Sequence, residues 1–363
     1  MKLPLSEVGI SKAATIRDAM SKLSDLGALR PNNTLVVVDD EGVLAGTVTD
    51  GDIRRAFLRG ATMDSKLGDI CRRDPIVAPE SMPVDSVHRL MQMNEVVSIP
   101  LVDNARKVVA VEMLGARRVA AAELMAVVMA GGEGVRLRPL TENMPKPMLK
   151  VGGKPILQTI LEALRRGGFT RILLNVRYLA PIIEDYFKDG SEFDLKISYI
   201  HEPKPMGTAG SIGLIPDAQR PQAPFLVING DLLTTLNFRA FYDFHMAADY
   251  DFTLCGRPYE VKIPFGYPVI SGDVVTEFRE KPVFTHLVNS GIYCMSHQLI
   301  GEVPVGEYFD MPDVIRRAIK LGMRVGVFPL REDFHEIGRP ESYTAAEEFY
   351  RKHLSIFSPS EAI

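Results

Sequence analysis

The sequence of 363 residues predicts an α/β protein with two domains, and two observations support this expectation. From residue 124 onward, apolar strand patterns alternate with helical patterns, which is typical of a mostly parallel sheet with helices on both faces. Before that point the chain contains a degenerate repeat of a smaller helix–strand–strand–helix unit. The expected parts are a domain at 1–119 with repeats at about 1–64 and 65–119, a domain at 124–352, and a tail at 353–363.

Composition restricts the class of protein before any motif is considered. Hydrophobic residues make up 46% of the chain and charged residues 24%, as in ordinary globular proteins. A net charge of −4 without a long basic tract argues against a nucleic-acid partner. Cys71, Cys255 and Cys294 have no CxxC spacing, and no apolar run approaches the length of a membrane span. We expect a cytoplasmic protein with no membrane partner, no disulfide framework and no zinc site.

The repeat in the first part of the chain consists of two copies of one unit. Copy one runs from the helical pattern TIRDAMSKLSDLG through the strands TLVVVDD and VLAGTVT into the helix DGDIRRAFLRG. Copy two runs from PVDSVHRLMQMN through VSIPLVD and KVVAVEM, and its last helix is much weaker. Aligning Asp39 with Asp103 also aligns Gly46 with Ala110, in both cases at an offset of 64 residues. A unit this small buries only part of its surface, so we expect the copies to pack together.

The stretch GTVTDGDIRR resembles the adenosine-binding end of a cystathionine-β-synthase (CBS) domain, and the paired arrangement is similar to a CBS tandem. The resemblance implies that Thr49 and Asp52 hold a nucleotide ribose, because hydroxyl and carboxylate oxygens accept hydrogen bonds from ribose hydroxyls. The aligned residues of copy two, Met113 and Ala116, cannot do this. Alternatively, Asp52 caps a helix and the pair serves packing or dimerisation. Because CBS tandems commonly pair, the resemblance also implies a homo-oligomer, and a regulatory nucleotide stays open.

The second part opens with the apolar strand LMAVVM, and further strand patterns follow at RILLNV, LKISYI, FLVING and DFTLC. Helical patterns lie between them, at KPILQTILEALRRG, APIIEDYF and NFRAFYDFHMA. Ligands in such sheets bind beyond the carboxyl ends of the strands. The stretch AGGEGVRLRPLTENMPKPM directly follows the first strand, so a ligand is expected there.

This stretch does not match either of two common phosphate-binding loops. Gly132 and Gly134 fit a dinucleotide fingerprint, but Leu137 stands where the third glycine belongs. A Walker loop needs Gly-Lys after its second glycine, and Val135-Arg136 occupies that place. Both interpretations therefore fail.

What remains is an extended loop whose glycine amides can approach an anion closely, with Arg136, Arg138 and Lys146 as cationic partners. Pro145 and Pro147 restrict the backbone that carries Lys146. Such a loop suits a triphosphate whose α-phosphorus reacts, because nucleotidyl transfer needs positioning and charge neutralisation. A basic surface loop would explain the charges but not the glycines, the prolines and the preceding strand together.

The longer stretch GGEGVRLRPLTENMPKPMLKVGGKP resembles the signature of the sugar-1-phosphate nucleotidyltransferases, GGxGxRLxPLTxxxPKPxLxVxxKP, at every fixed position. The resemblance covers about residues 124–350. It implies a Rossmann-like domain with the nucleotide-diphospho-sugar transferase fold, and the reaction NTP + sugar 1-phosphate → NDP-sugar + pyrophosphate with Mg²⁺. The nucleotide-holding positions that it implies are Gly131, Gly132 and Gly134, with Arg136 at the triphosphate and Lys146 at the reacting phosphates.

Two later motifs are similar to the nucleotide and metal sites of the same family. EPKPMGTAGS resembles the base-recognition segment, in which a turn opens a helix beneath the nucleotide and offers amide donors; the implied contacts are Gly207, Thr208 and Ala209. FLVINGDLL places Asp231 where the family has a catalytic metal ligand. Taken alone, Thr208 is a helix cap and Asp231 a turn former.

Three motifs resemble the sugar-binding part of the family. REKP places Glu280 at the sugar hydroxyls and Lys281 at the sugar phosphate, as the resemblance implies. VNSGIY supplies Asn289 and Gly291 for the sugar pocket, and FGYPVI supplies Gly266. Each motif alone is more often structural, so the interpretation depends on their order along one chain.

One position departs from the family pattern. The family has W-x-D-I-G, whose aspartate is the second magnesium ligand, and this chain has F-H-E-I-G with Glu336 in that place. Glutamate offers the same oxygens on a longer stem, so we expect Asp231 and Glu336 to hold Mg²⁺. His335 is expected at the rim, because magnesium prefers oxygen ligands.

A CBS tandem before a domain with a GTAG turn is most similar to guanylyltransferases that act on mannose-type, heptose or amino-sugar phosphates. The resemblance therefore favours GTP over UTP, dTTP and CTP, and the sugar stays open. Two alternatives remain: an enzyme of the same family that uses UTP or dTTP, and a catalytically silent homologue that binds a nucleotide sugar and regulates a partner.

Overall fold

The computed structural model describes residues 2–27, 34–94, 96, 98–113 and 124–358. The chain divides into two compact units, residues 1–121 and 122–363. Within the described ranges, no helix combines the length and the apolar character that crossing a membrane requires.

In the described residues, the first unit contains the predicted helices and strands of the repeat in order, together with short elements that the sequence did not predict. Its strands are β1 (Lys2–Pro4), β2 (Gly9–Ser11), β3 (Thr34–Val38), β4 (Leu44–Thr49), β5 (Ala78–Pro79), β6 (Ser98–Val102) and β7 (Val108–Met113). Its helices are α1 (Leu5–Val8), α2 (Ile16–Gly27), α3 (Asp50–Leu58), α4 (Leu67–Ile70) and α5 (Val84–Met93). The strands form two sheets, β2-β3-β4 and β1-β7-β6-β5. The weak last helix of copy two, with Ala116, lies outside the described residues.

The repeat is visible in the strand register, at the predicted offset. Asp39 and Asp103 close the two hairpins alike, since a carboxylate oxygen of each accepts hydrogen bonds from two main-chain amides of its turn. At Gly46 a Cβ would lie 2.5 Å from the Arg72 carbonyl oxygen, so copy one needs glycine where copy two has alanine. The equivalent cross-strand pairs are Val37 with Gly46 and Leu101 with Ala110.

The two copies share a hydrophobic core, as expected from their size. Each copy has an apolar cluster of its own. A third cluster contains Val36 and Leu44 of copy one together with Val102 and Val111 of copy two. Burial of this shared cluster joins the copies into one unit.

The second unit contains a central sheet with smaller strand pairs around it. Its strands are β8 (Leu124–Met129), β9 (Lys150–Val151), β10 (Lys154–Pro155), β11 (Phe169–Val176), β12 (Lys196–His201), β13 (Phe225–Asn229), β14 (Leu232–Thr234), β15 (Phe252–Lys262), β16 (Tyr267–Ser271), β17 (Val274–Arg279), β18 (Val283–Met295), β19 (Val325–Pro329) and β20 (Phe334–Glu336). Its helices are α6 (Ile156–Arg166), α7 (Ala180–Phe187), α8 (Phe238–Ala247), α9 (Met311–Lys320), α10 (Pro340–Lys352) and α11 (Leu354–Phe357).

The central sheet has the order β12-β11-β8-β13-β18-β15-β19. Its pairs are parallel except for those that β18 makes with β13 and β15. One face packs on α6, α7 and α8, and the opposite face packs on α9. The predicted mostly parallel, mixed sheet with helices on both faces is confirmed.

The sheet brings two distant loops to one edge. Strands β8 and β13 are parallel neighbours, so the loops that follow them leave from the same side. The amide of Gly230 donates to the carbonyl of Met129 at 2.9 Å, which joins the two strand ends directly. At the C-terminus, the residues expected to form a tail include α11, whose Phe357 is buried and stacks on Tyr350 at 5.2 Å between ring centroids.

Candidate functional site

The glycine-rich loop encloses a pocket at the carboxyl ends of β8 and β13. After β8 the chain runs without regular structure to Gly134, turns through a short 3-10 helix at Val135–Leu137, and passes Lys146 in a second one at Lys146–Met148. The pocket measures about 270 Å³. Its lining residues are Gly132, Gly134, Val135, Arg136, Leu137, Lys146, Asp231 and Gly338. Three predicted catalytic residues, Arg136, Lys146 and Asp231, therefore meet at one pocket.

Lys146 lies in the floor of this pocket and is 9% exposed. Its ammonium group forms an ion pair with Asp231, whose side chain is 25% exposed. Gly134 has a φ of 63°, and a Cβ there would lie 3.1 Å from Cβ of Lys146. Glycine at this position thus allows the loop to close against the lysine.

Asp231 lies in the turn between β13 and β14, and Glu336 lies on β20, which pairs with β14 beside the pocket. Glu336 pairs in register with Leu232, and the amide of Ile337 donates to the Asp231 carbonyl at 3.0 Å. The side chain of Glu336 is exposed and does not line the pocket. His335 instead faces α10, where its Nε2 donates to the Ser342 carbonyl.

A second pocket, of about 360 Å³, continues from the first and shares Gly132, Lys146 and Asp231 with it. Volumes of about 300–1,000 Å³ are usual for ligand pockets. Ala209 is fully buried and does not line this pocket. Its other lining residues are Met129, Ala130, Gly131, Pro147, Asn175, Arg177, Glu202, Pro205, Met206, Gly207, Thr208, Asn229 and Tyr308.

A buried carboxylate, Glu202, lies at this second end. Glu202 directly follows β12, and its Oε1 accepts a hydrogen bond from Asn175 Nδ2 at 2.8 Å. Its Oε2 is 3.7 Å from Nε of Arg177 and would be 3.1 Å from a Cβ at Gly131. Burial raises the pKa of Glu202, and the Asn175 hydrogen bond and the Arg177 charge only partly oppose this. Further hydrogen-bond donors from a ligand would stabilise this carboxylate.

The GTAG turn differs from the expectation in one respect. Its amides were expected to face the nucleotide, but those of Thr208, Ala209 and Gly210 donate within the protein. Thr208 N donates to Asp310 Oδ1 at 2.8 Å, and the amides of Ala209 and Gly210 both donate to the Phe309 carbonyl at 3.0 Å. The expectation of free amide donors was wrong, because the segment before α9 packs against the turn. The turn does open a helix, a short 3-10 helix at Gly210–Leu214.

Comparison with known proteins assigns the class of this site. The family model described as nucleotidyl transferase matches residues 125–353, which is more than half of the chain. The chain belongs to the nucleotidyl transferase family. The CBS domain model matches residues 6–59 and 67–111, so CBS domains are present in the first unit.

Individual relatives of this nucleotidyl transferase use different nucleotides. It is 29% identical over 242 residues to a UTP–glucose-1-phosphate uridylyltransferase of Synechocystis sp., covering 61% of this chain and 62% of that protein. It is 35% identical over 186 residues to a mannose-1-phosphate guanylyltransferase of Mycobacterium tuberculosis, covering 50% of this chain and 51% of that protein. The chain thus spans about half to three fifths of these relatives' lengths.

A solved structure supports the fold of the nucleotidyl transferase domain. A Bacillus anthracis protein described as a glucose-1-phosphate thymidylyltransferase aligns with a TM-score of 0.52 and 22% identity. The alignment covers 62% of this chain and 95% of that chain. At this identity the likeness concerns the fold alone.

The residues expected at the sugar lie on an extension of the nucleotidyl transferase domain. Beyond the central sheet, β15 and β18 continue as a two-stranded ribbon, and with β16 and β17 they form an arm of residues 257–288. Within the arm, a Cβ at Gly266 would lie 3.2 Å from Oε2 of Glu280. Lys281 follows with a φ of 45°. None of these three residues lines the two pockets.

Asn289 and Gly291 lie where the arm joins the sheet. Asn289 Nδ2 donates to the Tyr293 hydroxyl at 2.7 Å. Gly291 has a φ of 78°, and a Cβ there would come within 2.4 Å of Nδ2 of Asn229, which lines the second pocket. The arm is therefore connected to the pocket wall at this glycine.

In the CBS unit, Thr49 and Asp52 form the N-terminal cap of α3. Thr49 Oγ1 accepts from the amide of Asp52 at 3.2 Å, and Asp52 Oδ2 accepts from the amide of Thr49 at 2.9 Å. Oδ1 of Asp52 lies 2.7 Å from Nη2 of Arg55. The helix-cap interpretation is confirmed, and a ribose contact at the same residues stays a prediction.

Sequence reasoning did not identify Asn175, Arg177, Glu202, Tyr308 and Asp310 as site residues. For the first three a signal was present, because each lies at or just after the carboxyl end of β11, the neighbour of β8, or of β12, the next strand in the sheet. For Tyr308 and Asp310 no local signal pointed to the site, since Asp310 bonds to Thr208, about 100 positions away, and Tyr308 lines the pocket with residues equally distant in the chain, such as Met206.

Proposed function

We propose that this protein is a sugar-1-phosphate nucleotidyltransferase that joins a nucleoside triphosphate to a sugar 1-phosphate and releases pyrophosphate. The observation that carries the proposal is the meeting of Arg136, Lys146 and Asp231 around one glycine-lined pocket at the strand ends. Membership of the nucleotidyl transferase family supports the same reaction class.

The chain's own groups suit in-line displacement at the α-phosphorus. An oxygen of the sugar phosphate forms a new bond to that phosphorus, and the bond to pyrophosphate breaks. The nucleophile is already an anion, so no general base is needed. Arg136 and Lys146 would offset the negative charge that gathers on the phosphoryl oxygens, and the amides of Gly132 and Gly134 can approach them closely.

The residues present fit a magnesium ion. Mg²⁺ is commonly held by one or two carboxylates together with substrate phosphates. Asp231 supplies a carboxylate that lines the pocket, and Glu336 pairs with Leu232, the residue after Asp231. When bound, the ion would neutralise charge on the phosphate oxygens. Asp231 would hold it, with Glu336 as the second carboxylate.

GTP is the nucleotide that the second pocket supports best. Guanine presents two adjacent donors, N1–H and N2–H₂, whereas uracil and thymine present one N–H between two carbonyls. Glu202 offers two carboxylate oxygens at the strand ends. Burial raises its pKa and the contacts with Asn175 and Arg177 only partly oppose this, so donors from a base would stabilise the charged form. A carboxylate that accepts from both guanine donors would make a charge-assisted, bidentate contact. The guanylyltransferase relative agrees with this choice.

The sugar partner in this proposal is a mannose-, heptose- or amino-sugar 1-phosphate. Gly266 and Glu280 would contact the sugar from the arm, with Lys281 at its phosphate and with Asn289 and Gly291 at the arm's base. In the same proposal the CBS domains form a homo-oligomer, and they are the place for a regulatory nucleotide if one binds.

A pyrophosphate-release assay tests this proposal. The purified chain is assayed with GTP, UTP, dTTP and CTP against mannose-, heptose-, glucose- and amino-sugar 1-phosphates, with and without Mg²⁺. We expect magnesium-dependent turnover that is fastest with GTP. Turnover only with UTP or dTTP would refute the base assignment. No turnover with any pair, despite nucleotide-sugar binding, would instead support a silent regulatory homologue.

A further inference from the structure

The segment that precedes α9 forms part of the nucleotide pocket, although no motif in it suggested this. Its backbone is joined to the GTAG turn, because Phe309 N donates to the Met206 carbonyl at 2.9 Å and the Phe309 carbonyl accepts from the turn in return. Gly207 has a φ of 76°, and a Cβ there would lie 2.6 Å from the Phe309 carbonyl oxygen. The two segments therefore form one continuous wall.

Asp310 connects both segments through its two carboxylate oxygens. Oδ1 accepts from the amide and the hydroxyl of Thr208, at 2.8 and 3.0 Å. Oδ2 accepts from the hydroxyl of Tyr308 at 2.9 Å. Thr208 Oγ1 accepts in turn from the amide of Met311 at 2.9 Å, so every polar group of this cluster is engaged.

The protonation of this cluster is stable at neutral pH. The hydrogen bond to Asp310 raises the pKa of the Tyr308 hydroxyl. Burial raises the pKa of Asp310, but the hydrogen bonds from Thr208 and Tyr308 outweigh it and the net shift is downward. The tyrosine thus remains a donor and the aspartate a charged acceptor, which fixes the direction of the bond between them.

Tyr308 is nevertheless 62% exposed, and it is one of the residues that line the second pocket. Among the pocket-lining residues in the described part of the chain, Tyr308 alone carries an aromatic ring. It lines this pocket together with Pro205, Met206 and Glu202, whereas Arg136 lines only the first pocket. An exposed ring held in one orientation beside an open pocket is suited to contact a flat, apolar ligand face.

We propose that Tyr308 is a nucleobase-binding residue whose ring packs on the base of the nucleoside triphosphate, and that Asp310 holds the ring in position. This inference rests on the proposed nucleotidyl transfer and adds a contact to it. Glu202 would select the base by accepting hydrogen bonds from donors at the base edge. Tyr308 would instead pack on the flat face of the base, which every base has.

The test uses the full chain and the variants Tyr308→Ala and Tyr308→Phe. The Kd of GTP and of UTP is measured by calorimetry without sugar phosphate, and the KM of both substrates and kcat are measured in the turnover assay. Inorganic tripolyphosphate serves as a competitor that has no base. Val305→Ala, an exposed apolar position on the same segment outside the pocket, is the matched control.

Tyr308→Ala is expected to weaken GTP and UTP binding alike, roughly 10- to 100-fold, as loss of a base-stacking ring does elsewhere. Inhibition by tripolyphosphate, the KM of the sugar phosphate and kcat should stay unchanged. Tyr308→Phe keeps the ring and loses one hydrogen bond, so its effect should remain below about 10-fold. Val305→Ala should match the wild type throughout.

An unchanged Kd for GTP and UTP in Tyr308→Ala would overturn the inference. The same holds if inhibition by tripolyphosphate weakens as much as nucleotide binding, or if only the KM of the sugar phosphate changes. These outcomes leave the proposed function standing if the wild type turns over. A wild-type chain that binds none of the four nucleoside triphosphates would overturn both proposals.

Discussion

Lys146 and Asp231 are 85 positions apart in the chain, and their side chains form an ion pair in the floor of the pocket. The pair exists because Lys146 belongs to the loop after β8 and Asp231 to the turn after β13, and these strands are parallel neighbours. Each charge is partly buried, so each stabilises the other where water is scarce.

Replacing Lys146 by alanine should abolish most of the activity. Loss of one preorganised cation at the reacting phosphates is expected to lower kcat by about 10²- to 10³-fold. The measurement is steady-state pyrophosphate release at saturating substrates. Lys150→Ala, an exposed lysine on β9, is the control and should retain wild-type turnover. Near-normal kcat in Lys146→Ala would show that this lysine does not act on the phosphates.

Magnesium removal separates the roles of the two carboxylates. Turnover should disappear when EDTA is added and return with excess Mg²⁺. Asp231→Asn should lose most turnover at every Mg²⁺ concentration, because Asp231 lines the pocket. Glu336→Gln should mainly raise the Mg²⁺ concentration that gives half-maximal rate, since this side chain is exposed beside the pocket. If Glu336→Gln proves as damaging as Asp231→Asn, Glu336 must enter the pocket during turnover.

Glu202→Gln should change the choice of base. The variant keeps the size of the side chain but replaces one acceptor oxygen by a donor, which opposes guanine N1–H or N2–H₂. We expect kcat/KM for GTP to fall by about 10- to 100-fold, the size of a lost bidentate base contact, with UTP affected less. Glu192→Gln, on an exposed surface 3-10 helix, is the control. An unchanged GTP-to-UTP preference would exclude Glu202 from base selection.

Gly207 and Gly306 allow a matched test of the wall beside the nucleotide. Both have a φ of 76°, but a Cβ at Gly207 would meet the Phe309 carbonyl, whereas one at Gly306 would meet nothing within 4 Å. Gly306→Ala should cost about 1–2 kcal/mol of unfolding free energy from backbone strain alone. Gly207→Ala should lower the unfolding free energy, measured by urea titration, by clearly more than this, because its Cβ must also push the GTAG turn away from the segment that precedes α9. Equal costs would mean that the contact with Phe309 is easily displaced.

His245 should make the second unit sensitive to acid. Burial lowers the pKa of His245 to about 4, although Asp251 and Asp249 act in the opposite direction. The folded form therefore holds a neutral ring that the unfolded chain protonates below about pH 6.5. Its contribution, about 3 kcal/mol, is present above that pH and is lost as the pH falls toward 4.

Urea unfolding between pH 7 and 4 measures this effect. The unfolding free energy of His245→Gln should fall less steeply across that range than that of the wild type. His286→Gln, which changes an exposed histidine on β18, should follow the wild type. Parallel curves for His245→Gln and the wild type would contradict the predicted pH dependence.

Local patterns in the sequence were sufficient for the glycine-rich loop and for part of the strands and helices, among them β8, β11, β13 and α6, because alternation, helical periodicity and glycine or proline content act over a few neighbouring residues. They did not predict β18, β19 or α9. The repeat could be read at its correct offset for the same reason, and Val37–Gly46 and Leu101–Ala110 pair at that offset. The family resemblance placed the loop and Asp231 in one site, and the parallel pairing of β8 with β13 brings them together.

Packing between segments that are distant in the sequence decided which groups of the site are hydrogen-bonded, buried or exposed. The amides of the GTAG turn looked available in the sequence, yet they donate to Phe309 and Asp310, about 100 positions away. Burial of Glu202 and exposure of Glu336 depend on which neighbours cover them, and no local pattern encodes this. A polar group forms a hydrogen bond only with a partner that the fold places within about 3 Å. The partners of the site residues are therefore set by the folded structure.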